Sequence, residues 1–315
     1  MNAAVPLIVI AGPTGTGKSA LSLDLADSLA GRGTAVEIVN ADAMQLYRGM
    51  DIGTAKLSPD ERRGIPHHLF DVLEVDEVST VADYQSRARR AVESIRARGA
   101  VPILVGGSGL YISALIHDFQ FPGTDEGVRG RLERELEADG AAAIWRRLAE
   151  ADPAAADAID PANGRRAVRA LEVIELTGRP YSATLPEGAA FWTPTEVVLL
   201  DVPLAGRPEL KQRLAGRAQA MFDGGLLDEV RALLPKGLAA GPTASRAIGY
   251  AQAIAVLEQG VSVDDAVTET TALTWRYLRR QRSWFGRYRD AHRIDITAGE
   301  PLREALDLLA PKLGA

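Results

Sequence analysis

Apolar residues occur along the chain in short runs that alternate with amphipathic segments. The runs predict six strands, at Leu7–Ala11, Ala35–Asn40, His68–Leu73, Val101–Val105, Glu196–Val202 and Arg293–Ile296. Helical periodicity fills most of the intervals between them, notably at Ala20–Leu29 and at Val81–Arg98, where Gly99 ends the pattern. This alternation predicts an α/β fold, a doubly wound parallel sheet with helices on both faces.

The alternation breaks between about residues 122 and 194. This stretch is rich in Ala, Arg and Glu, contains no convincing strand and reads as helices at Val128–Glu137, Ala141–Ala151 and Arg165–Thr177. We therefore predict an all-helical insertion at 122–195. The α/β core is predicted to consist of a first part, 1–121, and a second part, 196–315, which ends in helices rich in Arg and aromatic residues.

The first strand leads directly into a glycine-rich loop of the pattern G-x-x-x-x-G-K-S. The residues predicted to bind phosphates are Gly12, Pro13, Thr14, Gly15, Thr16, Gly17, Lys18 and Ser19. The glycines let backbone N–H groups turn towards the phosphates, Lys18 supplies a positive charge, and the Ser19 hydroxyl is placed to hold Mg²⁺. The loop predicts a P-loop NTPase-like core that binds a polyphosphate, but it does not identify which polyphosphate is bound.

Polar side chains also follow the second and fourth strands. Asp42 stands at the end of the second strand, where a carboxylate serves as a general base, as a partner of magnesium or as a helix N-cap. Ser108 follows Gly106 and Gly107 after the fourth strand. That strand lacks the terminal Asp with which motor ATPases organise magnesium and water, so we expect that the attacking nucleophile is not water.

Composition excludes several classes of protein. The 315 residues include no Cys, which excludes disulfides, Cys-ligated zinc and a thiol nucleophile. There is no apolar run of membrane-spanning length and no signal-peptide pattern. We therefore expect a cytoplasmic protein without membrane association, and a monomer, because no heptad pattern or unexplained apolar stripe requires a partner.

The net charge of −6 argues against nucleic acid, but the basic residues are clustered. Trp275–Asp290 contains six Arg, five aromatic residues and one acid, and Arg165, Arg166 and Arg169 form a second cluster. Such segments suit phosphate contacts and base stacking, although an amphipathic helix with solvated Arg explains each cluster alone. Arg213 and Arg217 share one face of a predicted helix and either bind phosphates or face solvent.

Several motifs together resemble those of one enzyme family, the tRNA dimethylallyltransferases, which prenylate the adenosine 3′ of the anticodon. Besides the P-loop, the matching segments are Asn40–Tyr47, Met50–Lys56, Pro66–His68, Leu104–Tyr111, Arg165–Val173, Ser245–Tyr250 and Trp275–Trp284. They cover nearly the whole chain in the family's order. The chain carries no Cys/His zinc-finger extension, which favours the bacterial type of the family.

The resemblance implies a reaction and a set of site residues. Dimethylallyl diphosphate lies in the P-loop with Mg²⁺, and N6 of the adenosine at tRNA position 37 attacks the allylic carbon and releases diphosphate. Asp42 matches the general base, and Ser108 retains the hydroxyl of a Thr that is common in relatives. The positions that match tRNA contacts are Asp42, Ala43, Met44, Gln45, Ser108, Arg129, Arg165, Arg166, Arg169, Arg246, Gly249 and Tyr250. Ala43-Met44 departs from the Ser-Arg of many relatives.

Two other functions remain open at the level of sequence. A P-loop small-molecule kinase explains Lys18 and Ser19, but leaves the helical insertion and the Arg–aromatic segment without a role. A non-catalytic, nucleotide-switched RNA-binding module explains the basic clusters, but does not explain why Asp42 and the Ser108 loop face the pocket of the P-loop.

Overall fold

A computed structural model describes residues 5–119, 121–181, 190–203 and 206–313. Six parallel strands form one sheet in the order β3-β2-β4-β1-β5-β6. The strands are β1 Leu7–Ala11, β2 Val36–Asn40, β3 His67–His68, β4 Val101–Gly106, β5 Thr195–Asp201 and β6 His292–Asp295. The predicted α/β class with a parallel sheet is confirmed.

The described residues form twelve α-helices. They are α1 Lys18–Ala30, α2 Val81–Ala97, α3 Gly109–Ile116, α4 Glu126–Asp139, α5 Ala141–Ala151, α6 Pro153–Asp157, α7 Gly164–Thr177, α8 Arg207–Asp223, α9 Leu226–Leu233, α10 Tyr250–Gln259, α11 Val263–Phe285 and α12 Pro301–Leu313. Side chains at Thr80, Asp125, Asn163 and Ser262 accept hydrogen bonds from backbone N–H groups in the first turns of α2, α4, α7 and α11.

Helices cover both faces of the sheet, as the doubly wound pattern predicts. On one face α2, α3 and the end of α11 bury residues such as Tyr84, Ile112 and Phe285 against β1, β2 and β4. On the other face α1 and α12 bury Leu25 and Leu309. β1, β2 and β4 are buried along their whole length, which explains why β1 and β4 are apolar runs.

The sheet order brings three loops together. Because β2, β4 and β1 are neighbours and all parallel, the loops that follow them leave the same edge of the sheet. These loops are the P-loop, the segment from Ala41 and the segment from Gly107. The topology thus places Asp42 and Ser108 beside the P-loop.

The predicted third strand, His68–Leu73, is wrong over most of its length. Only His67 and His68 pair with β2, through Ile38 and Val39. Leu69 and Asp71 adopt positive φ angles of 64° and 56°, which extended chain cannot accommodate. The run is apolar because residues such as Leu69 and Val72 pack against the core from a loop.

The chain divides into two compact units, His117–Ala190 and the remainder. In the smaller unit α4, α5, α6 and α7 surround an apolar cluster that includes Leu132, Leu148 and Leu171. Its limits differ by a few residues from the predicted insertion at 122–195. Within the described parts of both units, no helix has the length and apolar character needed to cross a membrane.

Candidate active site

The P-loop adopts a conformation that only glycine accommodates at its first position. Gly12 has a φ of 150°, and a Cβ there would lie 2.4 Å from the carbonyl oxygen of Leu200 on β5. Gly15 and Gly17 also have positive φ angles, of 79° and 82°. The Thr16 hydroxyl donates to the Pro13 carbonyl at 2.8 Å and closes the loop from within.

The N-terminus of α1 is available to an anion. Gly17 precedes the helix, no side chain caps it, and its first turn contains no acidic residue. The first N–H groups of α1 therefore lack an intrahelical acceptor, and the helix dipole adds partial positive charge there. Ser19 is exposed in this first turn, and its hydroxyl makes no hydrogen bond to any part of the chain that the structure describes.

Lys18 lies folded over the loop, and its Nζ donates to the Pro13 carbonyl at 2.7 Å. The pKa of Lys18 is lowered to about 8, mainly by burial of the ammonium group; the Asp42 carboxylate opposes this shift, and the positive charge of Arg217 adds to it. A bound polyanion would supply the counter-charge that this buried group lacks.

Arg213 and Arg217 of α8 both reach the P-loop. Arg213 Nη2 donates to the Gly15 carbonyl at 2.9 Å, and Arg217 Nη1 lies 3.4 Å from Thr14 Oγ1. Burial lowers the pKa of Arg217, and Asp42 opposes this shift. Arg217 lines the phosphate-binding side of the site, whereas Arg213 is exposed and contacts the loop from the solvent side.

Asp42 is held by a network at the end of β2. The Asn40 side chain accepts from the Asp42 N–H at 2.9 Å and donates to its carbonyl at 3.0 Å. Asp42 Oδ1 accepts the N–H of Met44 at 2.9 Å, so the carboxylate also caps its own loop. The Tyr84 hydroxyl of α2 donates to the Asn40 carbonyl at 2.9 Å and so helps to fix the end of β2.

Ser108 joins the loop after β4 to the loop after β2. Its N–H donates to the Ala41 carbonyl at 3.2 Å, and its Oγ accepts the Ala43 N–H at 3.1 Å. Gly106 permits this approach, because a Cβ there would lie 2.3 Å from the Ala41 oxygen. The Ser108 hydroxyl acts as an acceptor in this contact and still carries its own proton.

Two cavities meet at Asp42. One, of about 330 Å³, is lined by the P-loop residues Thr14, Gly15, Gly17, Lys18 and Ser19 together with Gln45, Phe70 and Gly107. The other, of about 300 Å³, is lined by Ala43, Met44, Ser108, Met221, Arg246, Ile248 and Arg280. Both are also lined by Thr14, Asp42, Thr54, Arg217 and Tyr277. A carboxylate therefore stands where a phosphate-binding cavity adjoins a second cavity with two further arginines.

Tyr277 of α11 lies at the same junction and was not predicted from the sequence. Burial raises the pKa of its phenol to about 12, and Asp42 contributes to this rise, while hydrogen bonds with Ser108 and Gln281 oppose it. The phenol is therefore protonated at neutral pH and contributes a donor next to the Asp42 carboxylate.

The loop that follows the Asp42 segment is anchored to α9. Glu229 accepts the N–H groups of Ile52 at 2.8 Å and Asp51 at 3.1 Å, and the Tyr250 hydroxyl donates to the same carboxylate. Gln45 Nε2 donates to the Thr54 carbonyl at 3.2 Å. Gln45 therefore lines the phosphate-binding cavity while its amide holds this loop.

Gly249 and Tyr250, two of the predicted tRNA contacts, lie inside the protein. Both residues are buried, and Tyr250 is 0% exposed. The Tyr250 ring fills the space above Gly53, where a Cβ would lie 2.4 Å from it. Packing and the hydrogen bond to Glu229 explain why Gly249 and Tyr250 belong to the Ser245–Tyr250 motif. Arg246, in the same motif, is exposed and lines the second cavity.

In the smaller unit, the four predicted arginines fall into two groups. Arg129 and Arg169 bind the carboxylate of Glu172, which is 0% exposed, at 2.6 and 2.8 Å. Arg165 and Arg166 lie exposed in the first turn of α7. The first pair therefore stabilises this unit, and the second pair leaves its charge at the surface.

The Arg-rich end of α11 has an inner and an outer side. Gln281, Arg282 and Trp284 make hydrogen bonds to the core, the last through Nε1 to Ser113 Oγ at 3.2 Å. Leu273, Arg276, Arg279, Arg280 and Ser283 line an open cavity of about 520 Å³. The sequence indicated the charge of this segment but not the polar contacts of its inner side. The only local signal for those contacts was the helical spacing of Gln281 and Trp284.

Comparison with known proteins places this geometry in a family. A family profile described as IPP transferase matches residues 45–288. A tRNA dimethylallyltransferase of Clavibacter sepedonicus is 58% identical over 305 residues, which cover 96% of this chain and 98% of the relative. The corresponding enzyme of Mycobacterium tuberculosis is 55% identical over 306 residues, 96% of each chain.

Solved structures agree with this assignment. The tRNA isopentenylpyrophosphate transferase of Bacillus halodurans superposes with a TM-score of 0.70 at 36% identity and covers 98% of this chain and 97% of its own. A eukaryotic dimethylallyltransferase acting on tRNA gives a TM-score of 0.78 at 27% identity, over 98% of this chain and 76% of that one. The resemblance identified from the motifs is confirmed: this chain belongs to the IPP transferase family.

Proposed function

We propose that this protein transfers a dimethylallyl group from dimethylallyl diphosphate to N6 of the adenosine 3′-adjacent to the anticodon, position 37, of tRNA. The observation that carries the proposal is the position of Asp42 at the junction of two cavities, one lined by the P-loop and one lined by Arg246 and Arg280. The names of the relatives, which state this activity for those proteins, support it.

The P-loop cavity suits the leaving group. The uncapped N-terminus of α1, Lys18 and Arg217 all present positive charge to it. Because the allylic carbon–oxygen bond breaks with both electrons going to oxygen, negative charge grows on the diphosphate as the reaction proceeds. Positive groups that are fixed in advance stabilise that charge more in the transition state than in the ground state.

We propose that Mg²⁺ accompanies the diphosphate. Among the described residues, no three His, Cys, Asp or Glu side chains cluster as a protein-built metal site would require. The donor set here is the Ser19 hydroxyl beside the P-loop, which suits an ion that takes most of its ligands from phosphate oxygens and water. When bound, the ion would neutralise charge on the departing diphosphate.

The second cavity suits the nucleophile. We propose that the adenine base leaves its stack and enters past Ala43, Met44 and Ser108 until N6 reaches Asp42. N6 forms a bond to the allylic carbon as the carbon–oxygen bond breaks, and Asp42 accepts the proton that N6 loses. The Ser108 hydroxyl and the Tyr277 phenol, which form a hydrogen bond with each other, are neutral polar groups beside this carboxylate.

Exposed arginines occur in both units and suit contacts with the rest of the RNA. Arg246 lines the mouth of the second cavity, and Arg276, Arg279 and Arg280 lie on the outer side of α11. Arg165 and Arg166 add exposed charge on α7 in the smaller unit. These side chains suit phosphate contacts that position the anticodon loop without reading its sequence. We place the enzyme in the cytoplasm, with its tRNA substrate, and expect it to act as a monomer.

Label transfer tests the proposal directly. The protein is incubated with Mg²⁺, dimethylallyl diphosphate labelled in its allylic group, and an unmodified tRNA with adenosine at position 37. We expect label on that tRNA, and none on a matched tRNA with guanosine at position 37. Absence of transfer to the adenosine-containing tRNA, together with phosphoryl transfer from ATP to a small molecule, would instead establish the kinase.

A further inference from the structure

Gln281 of α11 connects two loops of the site. Its Oε1 accepts the backbone N–H of Thr14 in the P-loop at 2.9 Å, and its Nε2 donates to the Gly107 carbonyl at 2.9 Å. The side chain is 5% exposed. A single amide thus satisfies one backbone donor from the loop after β1 and one backbone acceptor from the loop after β4.

The Gln281 amide lies directly against the backbone of Gly107. A Cβ on Gly107 would lie 2.4 Å from Gln281 Nε2 and 3.3 Å from the Gly12 carbonyl oxygen. Glycine is therefore needed at position 107 so that the amide can lie between the two loops. The neighbouring Arg282 donates to the Val202 carbonyl at 2.9 Å, which ties the same turn of α11 to the end of β5.

One of the two connected loops adjoins the leaving group, and the other adjoins the proton acceptor. Thr14 belongs to the loop that, in the proposed function, holds the leaving diphosphate. Gly107 precedes Ser108, whose Oγ accepts the Ala43 N–H beside Asp42. The distance between the leaving group and the proton acceptor therefore depends on how these loops sit relative to each other.

We propose that Gln281 is a positioning residue that sets the phosphate-binding loop in register with the Ser108 loop, so that diphosphate and attacking amine are aligned. It acts through the Thr14 N–H and the Gly107 carbonyl. The role rests on the proposed function, because it presupposes that diphosphate occupies the P-loop. Displacement of a reacting group by about 1 Å costs on the order of a hundredfold in rate, so a single lost bridge has a measurable effect.

Two substitutions break the bridge from opposite sides. Gln281→Met keeps the length of the side chain but removes both hydrogen bonds to the loops and the one to Tyr277, whereas Gly107→Ala displaces the amide by steric contact. We expect each to lower kcat/KM for dimethylallyl diphosphate by ~10–100-fold and to weaken binding of magnesium pyrophosphate, with KM for tRNA changed by less than about twofold. Because both act on one contact, the double variant should fall no further than the worse single variant.

A matched control separates positioning from general destabilisation. Gln252 is also buried and also accepts a backbone N–H at 2.9 Å, that of Gly249. Gln252→Leu should lower the melting temperature at least as much as Gln281→Met does, yet bind magnesium pyrophosphate like the wild type. If Gln281→Met does not fold, Gln281→Glu preserves size and the acceptor for Thr14, while its carboxylate has no proton for the Gly107 carbonyl.

The outcomes separate this role from the proposed function. Wild-type protein that does not bind magnesium pyrophosphate would overturn the proposed function and this role with it. Wild-type binding and transfer, combined with a folded Gln281 variant that keeps wild-type affinity and kcat/KM, would overturn the role alone. Multiplicative effects of Gln281→Met and Gly107→Ala would also count against it, because independent effects do not share a contact.

Discussion

Lys18 gives the site a pH dependence whose sign follows from its surroundings. The pKa of Lys18 is lowered from 10.5 to about 8, mainly by burial. Diphosphate favours the charged ammonium, so above pH 8 binding requires that Lys18 take up a proton. We expect the affinity for dimethylallyl diphosphate to fall as pH rises above about 8, by at most tenfold per unit. Calorimetry at about pH 9 in two buffers of different ionisation heat should detect the uptake of about one proton.

The same shift affects stability in a defined window. Between about pH 8 and pH 10.5 the unfolded chain binds a proton on Lys18 that the folded chain does not bind. The lowered pKa of Lys18 therefore destabilises the folded state fully below about pH 8. As the pH rises through this window the destabilisation is relieved, so the free energy of unfolding increases. Lys18→Met removes the dependence. A stability difference between wild type and Lys18→Met that stays constant from about pH 8 to 10 would contradict the shifted pKa.

Asp42 allows chemistry to be separated from loop structure. Asp42→Asn keeps the oxygen that accepts the Met44 N–H and removes the group that takes a proton. We expect single-turnover transfer to slow by ~10²–10⁴-fold, with the dissociation constant for tRNA changed by less than about twofold. Rapid-quench measurement and filter binding provide the two numbers. Loss of tRNA binding with unchanged chemistry would show that Asp42 is not the proton acceptor.

The loop Met50–Lys56 shows how helices support the site. Glu229 of α9 holds backbone N–H groups of this loop, and Tyr250 at the start of α10 donates to the same carboxylate. Tyr250→Phe leaves that half-buried carboxylate short of one donor, so we expect the free energy of unfolding to fall by about 1–3 kcal/mol. Because Tyr250 is 0% exposed, KM for tRNA should change by less than about twofold.

Arg246→Ala should have the opposite pattern of effects to Tyr250→Phe, with a change in tRNA binding and little change in stability. Arg246 is exposed and lines the second cavity, so its loss should raise KM for tRNA by about tenfold. Its effect on the free energy of unfolding should stay within about 0.5 kcal/mol, as for most surface substitutions. Denaturant unfolding and steady-state kinetics of both variants check the contrast. A tRNA defect in Tyr250→Phe as large as that in Arg246→Ala would instead support the predicted tRNA contact of Tyr250.

The elements that the sequence predicted well are those with a local physical signal. The strand β1, the P-loop and the nearness of Asp42 follow from apolar runs, glycine spacing and the order of parallel strands. β3 was predicted too long because apolar residues in a loop and in a strand look alike without their φ angles. Gln281 was missed because its partners are backbone groups more than a hundred residues away, which no local pattern reveals.

The whole molecule carries a net charge of −6, and the proposed RNA surface depends on where the arginines are free rather than on how many there are. Arg166 and Arg169 lie three residues apart on α7. Arg169 binds Glu172 at 2.8 Å, whereas within the described residues the exposed side chain of Arg166 forms no ion pair. The same charge thus has a structural use at one position and is available to RNA phosphates at the other.

This contrast predicts the salt dependence of tRNA binding. Each phosphate contact contributes about 0.7–0.9 to the slope of log affinity against log salt concentration. We expect Arg166→Gln to reduce that slope by about one contact without changing KM for dimethylallyl diphosphate. Arg169→Gln should lower the free energy of unfolding of the smaller unit by about 1–3 kcal/mol, because Glu172 remains buried with one donor fewer. Equal salt slopes in Arg166→Gln and the wild type would exclude this end of α7 from the RNA surface and leave Arg246 and the outer side of α11 as the phosphate contacts.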